Sequence, residues 1–316
     1  MLKCDAVFEG GGVKGIAFVG AIQEAERQGY TFERLAGTSA GSMIASLLAA
    51  GYNGQELEAM MSELSFLTFL DLNTIGRIPL IGKGLNILLR NGIYSAIQIE
   101  HWIAEKLKQK GIYTFGDLPE DKLRIVASDI TNGRMMVLPH DLTHYGKNPN
   151  DFSIAKAVRM SCTIPYFFQP AVIRYHRKKI YIVDGGLLSN YPVWIFDSDT
   201  KPRWPTFGFR LRGSHEEKPS RIAGPISMFL AIFSTMLEAH DKQYIKPRDA
   251  HRTIFIPVDN VKSTDFALSD EQKQKLMALG RKEAQEFFEK WNFPAYIQQY
   301  RRLPVSVQYQ KKSQSS

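Results

Sequence analysis

FERLAGTSAGSMIASLLAAG, residues 32–51, is the stretch on which the architecture turns. It opens strand-like (32–36) and closes helix-like (42–51), with the pentapeptide Gly37-Thr38-Ser39-Ala40-Gly41 between. A serine on a sharp strand-to-helix turn is held in strained backbone geometry with its hydroxyl projecting into a cleft. The chain approaches itself closely at such a turn, so small residues are required two positions either side, and Gly37 and Gly41 supply them. The flanks provide the context that a bare G-x-S-x-G lacks. The competing reading is a tight turn in which the serine has no task.

Upstream, AVFEGGGVKGIAFVGAI (residues 6–22) places Gly10, Gly12 and Gly15 in G-x-G-x-x-G spacing between a strand-like run and a helix-like run. That is the spacing of a dinucleotide-binding turn, and a nucleotide-cofactor binder is one reading of it. Such a site also demands an acidic residue closing the second strand, about 20 residues on, to hold the ribose hydroxyls. Here Glu33 comes too early, mid-strand, and the strand end carries Gly37–Gly41 instead. The glycines suit a different anion. Attack by Ser39 on an acyl carbonyl creates an oxyanion, which needs preorganised N–H donors. A glycine-rich turn opening a helix offers bare amides and the positive end of a helix dipole. If the first two strands are neighbours, the turn from Gly10 to Gly15 lies beside Ser39. Lys14 either adds positive charge there or is a surface residue.

Outward from these turns, strand-like and helix-like runs alternate. Strands are expected at 5–9, 32–36, 123–128, 135–139, 171–175, 179–183, 206–210 and 253–257. Helices are expected at 13–28, 42–51, 54–63, 95–110, 154–160, 226–244 and 270–291, the last opened by Ser269 and Gln272 in capping-box spacing. This alternation predicts an α/β fold, a three-layer α/β/α arrangement around a mostly parallel central sheet. Asn132-Gly133 between two strand-like runs is a hairpin signal, so part of the sheet should be antiparallel. Residues 65–93, apolar and studded with glycine, follow neither period; they read as an insertion covering a site or as irregular core. No repeat or long linker interrupts the chain, so residues 1–307 are expected to form one catalytic domain, followed by a disordered polar tail at 308–316.

Composition narrows the class. The 316 residues are 44% hydrophobic and 23% charged, as in an ordinary globular protein, and the net charge of +8 gathers in short clusters such as Arg174 to Lys179. Basic clusters suit an anionic membrane or are simply a solvated face. No motif or aromatic–basic platform supports nucleic-acid binding. Cys4 and Cys162 make neither a disulfide framework nor a metal-ligand spacing, and read as buried free thiols in a reducing compartment. No apolar run reaches the roughly 18 residues of a membrane span, and no signal segment precedes the glycine turn, so a cytoplasmic protein, peripheral at membranes at most, is expected.

A serine hydroxyl needs a base. Seven histidines are present (His101, His140, His144, His176, His215, His240 and His251), but none follows a strand end among small residues. Asp184, in KKIYIVDGGLLSNYP (residues 178–192), does: an apolar strand ends in this carboxylate, followed by Gly185 and Gly186. Taken alone, it reads first as a common Asp-Gly turn.

Four blocks, EGGGVKG (9–15), GTSAG (37–41), MSCTIPYFFQP (160–170) and VDGG (183–186), occur in that order and together resemble the patatin-like phospholipase family. The resemblance covers the first two-thirds of the chain. It implies a modified α/β-hydrolase-like fold, a Ser–Asp dyad without histidine, and cleavage of fatty-acyl esters of lipids or phospholipids with no metal or cofactor. Carried across, Ser39 is the nucleophile, flanked by Gly37, Thr38, Ala40 and Gly41, and Asp184 is the general base. Gly10, Gly11, Gly12, Val13, Lys14 and Gly15 form the oxyanion loop, with donors among the amides of Gly11, Gly12 and Val13. An acyltransferase using the same acyl-enzyme is the alternative that sequence does not separate from a hydrolase. An ordinary aspartate, with a pKa of about 3.9, is a weak base, so partial burial is expected to raise that of Asp184.

Overall fold

The first strand, β1 (Leu2–Phe8), is an apolar run buried along its second half. It leads through a 3-10 turn (Gly12–Ile16) directly into α1 (Ala17–Arg27) and returns as β2 (Tyr30–Thr38), parallel to β1. The expected helix at 13–28 is thus split. Its first turn is 3-10, and there the Val13 amide donates to the Ser263 carbonyl, 3.1 Å away, across the fold. A computed structural model describes residues 1–72, 87, 89–213, 222–224, 227–229, 231–233, 235–236, 246–259 and 261–300.

After β2 come α2 (Ala40–Ala49), α3 (Gly54–Glu63), β3 (Gly92–Tyr94) and α4 (Ile97–Gln109). The hairpin of β4 (Leu123–Asp129) and β5 (Arg134–Leu138) follows, turning at Gly133 (φ 66°) as Asn132-Gly133 predicts. Next are α5 (Ile154–Ser161), β6 (Tyr166–Phe168), β7 (Ala171–Tyr175) and β8 (Lys178–Asp184). The chain continues through β9 (Thr206–Arg212), α6 (Pro247–Ala250), β10 (Thr253–Pro257), α7 (Asp270–Lys290) and α8 (Phe293–Tyr300). The capping box expected for α7 is present: Ser269 Oγ accepts from the Gln272 amide, and Gln272 Oε1 from the Ser269 amide.

The architecture is mixed α/β, a mostly parallel central sheet flanked by helices. Strands β10, β9, β1, β2 and β4 pair in parallel, in that order, while β5 and β8 run antiparallel to β4, and β7 antiparallel to β8. Period-2 alternation divides each strand between two faces. Ala6, Phe8, Leu35, Ile125, Phe207 and Phe209 belong to one continuous core with α1, α2, α5 and α7. Fully burying a Phe or Leu side chain in such a core contributes about 1.5–3 kcal/mol. On the other face Val7, Ala36 and Val126 pack under Ile195 and Phe196, beside α6, which Arg248 and Arg252 tie to Asp197.

Two short strands, β3 and β6, pair only with each other and were not expected; three residues each show no alternation. Helices α6 and α8 were also unforeseen. Of the expected helix at 226–244, residues 227–229, 231–233 and 235–236 are helical and the rest lies outside the described residues. Most of the 65–93 segment lies outside them too, although its start forms a 3-10 turn (Phe66–Phe69) that buries both phenylalanines. The tail at 308–316 lies wholly outside. Among the described residues no helix is long and apolar enough to cross a membrane.

Candidate active site

Strand β4 works as a ruler. Along one edge, its residues 125–129 pair with β5. Residues 123–126 also pair with β2, and 127–129 also pair with β8, so β2 and β8 share the opposite edge. They run toward each other along it. Thr38 is in register with Val126 and Asp184 with Ala127, so the two strand ends meet at adjacent rungs. Head-on strands cannot both continue. Each must turn out of the sheet where they meet, and the residues at the turns are Ser39 and Asp184.

Ser39 has φ 50° and ψ −125°, a positive φ outside the ordinary regions for an L-residue, and α2 begins immediately after it. The turn closes only because Gly37 and Gly41 lack side chains. A Cβ on Gly37 would collide with the Gly41 carbonyl, and one on Gly41 with the carbonyls of Phe8 and Glu9. Ser39 Oγ donates to Asp184 Oδ2 at 2.7 Å, and the Gly186 amide donates to Asp184 Oδ1 at 2.8 Å. Both side chains are buried, with Ser39 6% and Asp184 3% exposed. Burial pushes the Asp184 carboxyl up from 3.8 to about 6, against the two hydrogen bonds that favour its charged form. A hydroxyl hydrogen-bonded to a carboxylate is the arrangement in which a base can accept the hydroxyl proton.

The glycine turn lies beside this pair. A Cβ on Gly10 would stand 3.2 Å from Ser39 Cβ, and one on Gly15 2.9 Å from Ala40 Cβ. Asn190 clamps the turn by accepting the Gly10 amide on its carbonyl (3.1 Å) and donating its own Nδ2 to the Gly10 carbonyl (3.2 Å). The Val13 amide is committed to Ser263, and Lys14's to the Gly11 carbonyl. Among the described residues, the amides of Gly11 and Gly12 have no acceptor. Gly12, Val13, Gly15, Ser39 and Ala40 share the wall of one cleft, with about 570 Å³ of space partly open to solvent. The remainder of the wall is apolar, including Met43, Met61, Phe66, Ile164, Phe168 and Phe266. The cleft thus places the Ser39 side chain in an otherwise hydrocarbon-lined wall.

The profile of the patatin-like phospholipase family matches residues 6–197. The chain belongs to this family. YqhO of Bacillus subtilis (strain 168) is 44% identical over 291 residues, covering 92% of this chain and 99% of that protein. The cUMP-AMP-activated phospholipase of Escherichia coli is 25% identical over 203 residues, 60% of this chain and 57% of its own. Among solved structures, VipD from Legionella pneumophila superposes with a TM-score of 0.55 at 20% identity over 90% of this chain and 66% of its own. That likeness speaks to the fold. Membership of the patatin-like family carries lipid-ester hydrolysis as the general class of reaction.

Within this patatin-like chain, Thr38 Oγ1 donates to the Ser189 carbonyl at 3.1 Å, fixing the end of β2 to the loop after Asp184. Gly185 packs on the Val126 carbonyl so closely that a Cβ would collide with it. Lys14 is half-buried and does not line the cleft. His101, His140, His144, His176 and His251 are exposed, and His215 and His240 lie outside the described residues. The two cysteines are buried and unpaired. Cys162 lines the cleft, and burial, reinforced by the nearby Asp184 charge, pushes its thiol well up. Among the described residues no group of three His, Cys, Asp or Glu side chains is placed to hold a metal. Sequence reading assigned no role to Ser161, Thr163 or Asn190. Their partners lie 20 to 180 residues away, and the available signal was a polar residue inside an otherwise apolar block.

Proposed function

We propose that the protein is a serine acyl hydrolase of lipids or phospholipids in which Ser39 is the nucleophile and Asp184 the general base. The observation that carries this reading is the 2.7 Å hydrogen bond from Ser39 Oγ to the buried Asp184 carboxylate, whose pKa is pushed up to about 6 by that burial. In the first half-reaction Ser39 Oγ attacks the ester carbonyl and its proton passes to Asp184 Oδ2. The developing oxyanion is received by the amides of Gly11 and Gly12, at the start of the 3-10 turn that leads into α1. Asp184 then gives its proton to the departing alcohol, leaving an acyl-Ser39 ester. Water adds to that ester while Asp184 takes its proton, and collapse returns the proton to Ser39 Oγ and frees the fatty acid. The acyl chain lies along the apolar wall of the cleft.

Peripheral contact with an anionic membrane is part of the same proposal. The β7–β8 hairpin presents Arg174, Arg177, Lys178 and Lys179 to solvent, and Met228 and Ile232 are about half exposed, at 52% and 53%. Two buried, unpaired thiols suit a reducing, cytoplasmic setting.

The test is fatty-acid release from phosphatidylcholine vesicles, with and without phosphatidylserine, beside a p-nitrophenyl butyrate assay, all in EDTA. Wild type is expected to hydrolyse both substrates, faster on the anionic vesicles. Ser39→Ala and Asp184→Asn should each lose at least about a thousandfold in turnover. Activity surviving in Ser39→Ala would reject the nucleophile.

A further inference from the structure

Ser161, the last residue of α5, contributes nothing to the cleft wall and is completely buried. Its hydroxyl accepts a hydrogen bond from the Ser39 amide at 2.8 Å and donates one to the Val126 carbonyl at 2.6 Å. Val126 is the β4 residue in register with Thr38, where β2 and β8 meet. The positive φ at Ser39 swings the chain out of the sheet, and the hydroxyl of Ser161 fills the gap the swing opens between the Ser39 amide and β4. One hydroxyl with one donor and two acceptor sites meets both demands.

The neighbours of Ser161 act on the same two residues. The Thr163 carbonyl accepts the Asp184 amide at 2.8 Å. Ser42 Oγ donates to the Ser39 carbonyl at 2.6 Å and lies 3.9 Å from Cys162 Sγ. Ser161 and Thr163 therefore hold the amides of Ser39 and Asp184, Cys162 touches the Ser42 hydroxyl that holds the Ser39 carbonyl, and β4 pairs with Asp184 and with Thr38 beside Ser39.

We propose that Ser161 is a positioning residue of the acyl-transfer step, its hydroxyl fixing the Ser39 backbone so that Oγ meets Asp184 Oδ2; this rests on the Ser39–Asp184 reading above. Removing the hydroxyl leaves the Ser39 amide and the Val126 carbonyl without this bridge in a dry site. The strained turn then relaxes and the 2.7 Å contact loosens. The apolar wall that holds substrate is made by other side chains, so the loss falls on turnover rather than on binding. A looser hydrogen bond from Ser39 also stabilises the Asp184 carboxylate less, which moves its ionisation to higher pH.

The experiment measures kcat and KM on p-nitrophenyl butyrate from pH 5 to 9, with thermal melting, for wild type, Ser161→Ala, Ser161→Cys, Ser39→Ala and Ser46→Ala. Ser46 is an equally buried serine whose hydroxyl, among the described residues, bonds to the Met43 carbonyl of its own helix. Ser161→Ala is expected to lower kcat about 10- to 100-fold, leave KM within about twofold, and move the acid limb of the residual activity to higher pH. Ser161→Cys keeps the volume but accepts hydrogen bonds weakly, so it should fall between the two, and it is read in place of Ser161→Ala if that chain does not fold. A kcat within about threefold of Ser46→Ala, or a fall with an unmoved acid limb, would overturn the proposal. Retained activity in Ser39→Ala would instead reject the nucleophile reading, so the two failures are told apart.

Discussion

Replacing Asp184 by Asn should abolish turnover and stabilise the fold. The carboxyl is 3% exposed, and its pKa stands at about 6 in the folded chain against 3.8 for an ordinary aspartate. Because the folded value is the higher one, the native state binds more protons than the unfolded chain between these two values, and stability falls as pH rises through that window. Above pH 6 the full cost of holding the buried carboxylate ionised is about 3 kcal/mol, and below about pH 4 none of it remains. Asn keeps the local bonds without the charge: Oδ1 accepts from the Gly186 amide and Nδ2 donates to Ser39 Oγ. With an unfolding entropy of about 2.1 cal/mol/K per residue, about 3 kcal/mol corresponds to a melting temperature roughly 4 °C higher. Calorimetry at pH 7.5 and at pH 4 is the assay. An Asn variant that melts higher at pH 7.5 and level with wild type at pH 4 fits the reasoning. A variant less stable at pH 7.5, or an advantage that persists unchanged at pH 4, would refute it.

Three further outcomes follow from the geometry. The wild-type rate should fall about tenfold for each pH unit below about 6, as the base is protonated, with a plateau above about pH 7 from this group, read from kcat/KM on p-nitrophenyl butyrate. Gly12→Ala forces a Cβ onto the Ser263 carbonyl at a φ of 57°, so it should destabilise by about 1–3 kcal/mol and lower turnover, both measurable on one preparation; wild-type melting and rate would contradict the strained turn. Arg252→Met removes a guanidinium that is 1% exposed between Asp197 and Asp249 and should cost about 3–5 kcal/mol by denaturant unfolding, leaving turnover per folded molecule unchanged.

Local signals made much of this readable before the fold was known. GTSAG, EGGGVKG and VDGG each sit where a strand gives way to a turn, and each announces itself through small residues that only a close backbone approach requires. The eight strands expected from apolar runs are all present, as is the 132–133 hairpin. What stayed hidden depends on partners distant in the chain. That β8 opposes β2 along β4 follows from two registers, Thr38 on Val126 and Asp184 on Ala127, whose partners lie far apart in the chain. The commitment of the Val13 amide to Ser263 and the grip of Asn190 on Gly10 span still longer separations. Ser161 was visible only as a serine in MSCTIP, and nothing in its neighbours reveals that it faces a backbone amide across the sheet.

The shared edge of β4 has a consequence for how such a protein can change. A strand advances about 3.3 Å per residue, more than the tolerance of a hydrogen bond, so slipping β2 or β8 by one rung would part the pair altogether. The rung at which the Ser39 and Asp184 backbones meet is therefore set by main-chain pairing, with the Ser161 hydroxyl bridging Ser39 to that strand. The groove walls, by contrast, come from α2, the turn after α3, and the segment around β6. On the proposed function, substitutions there would reshape which acyl chain is admitted while the rung at which Ser39 and Asp184 meet stays as β4 set it. The walls of the groove and the meeting of the two strand ends can thus change independently of each other.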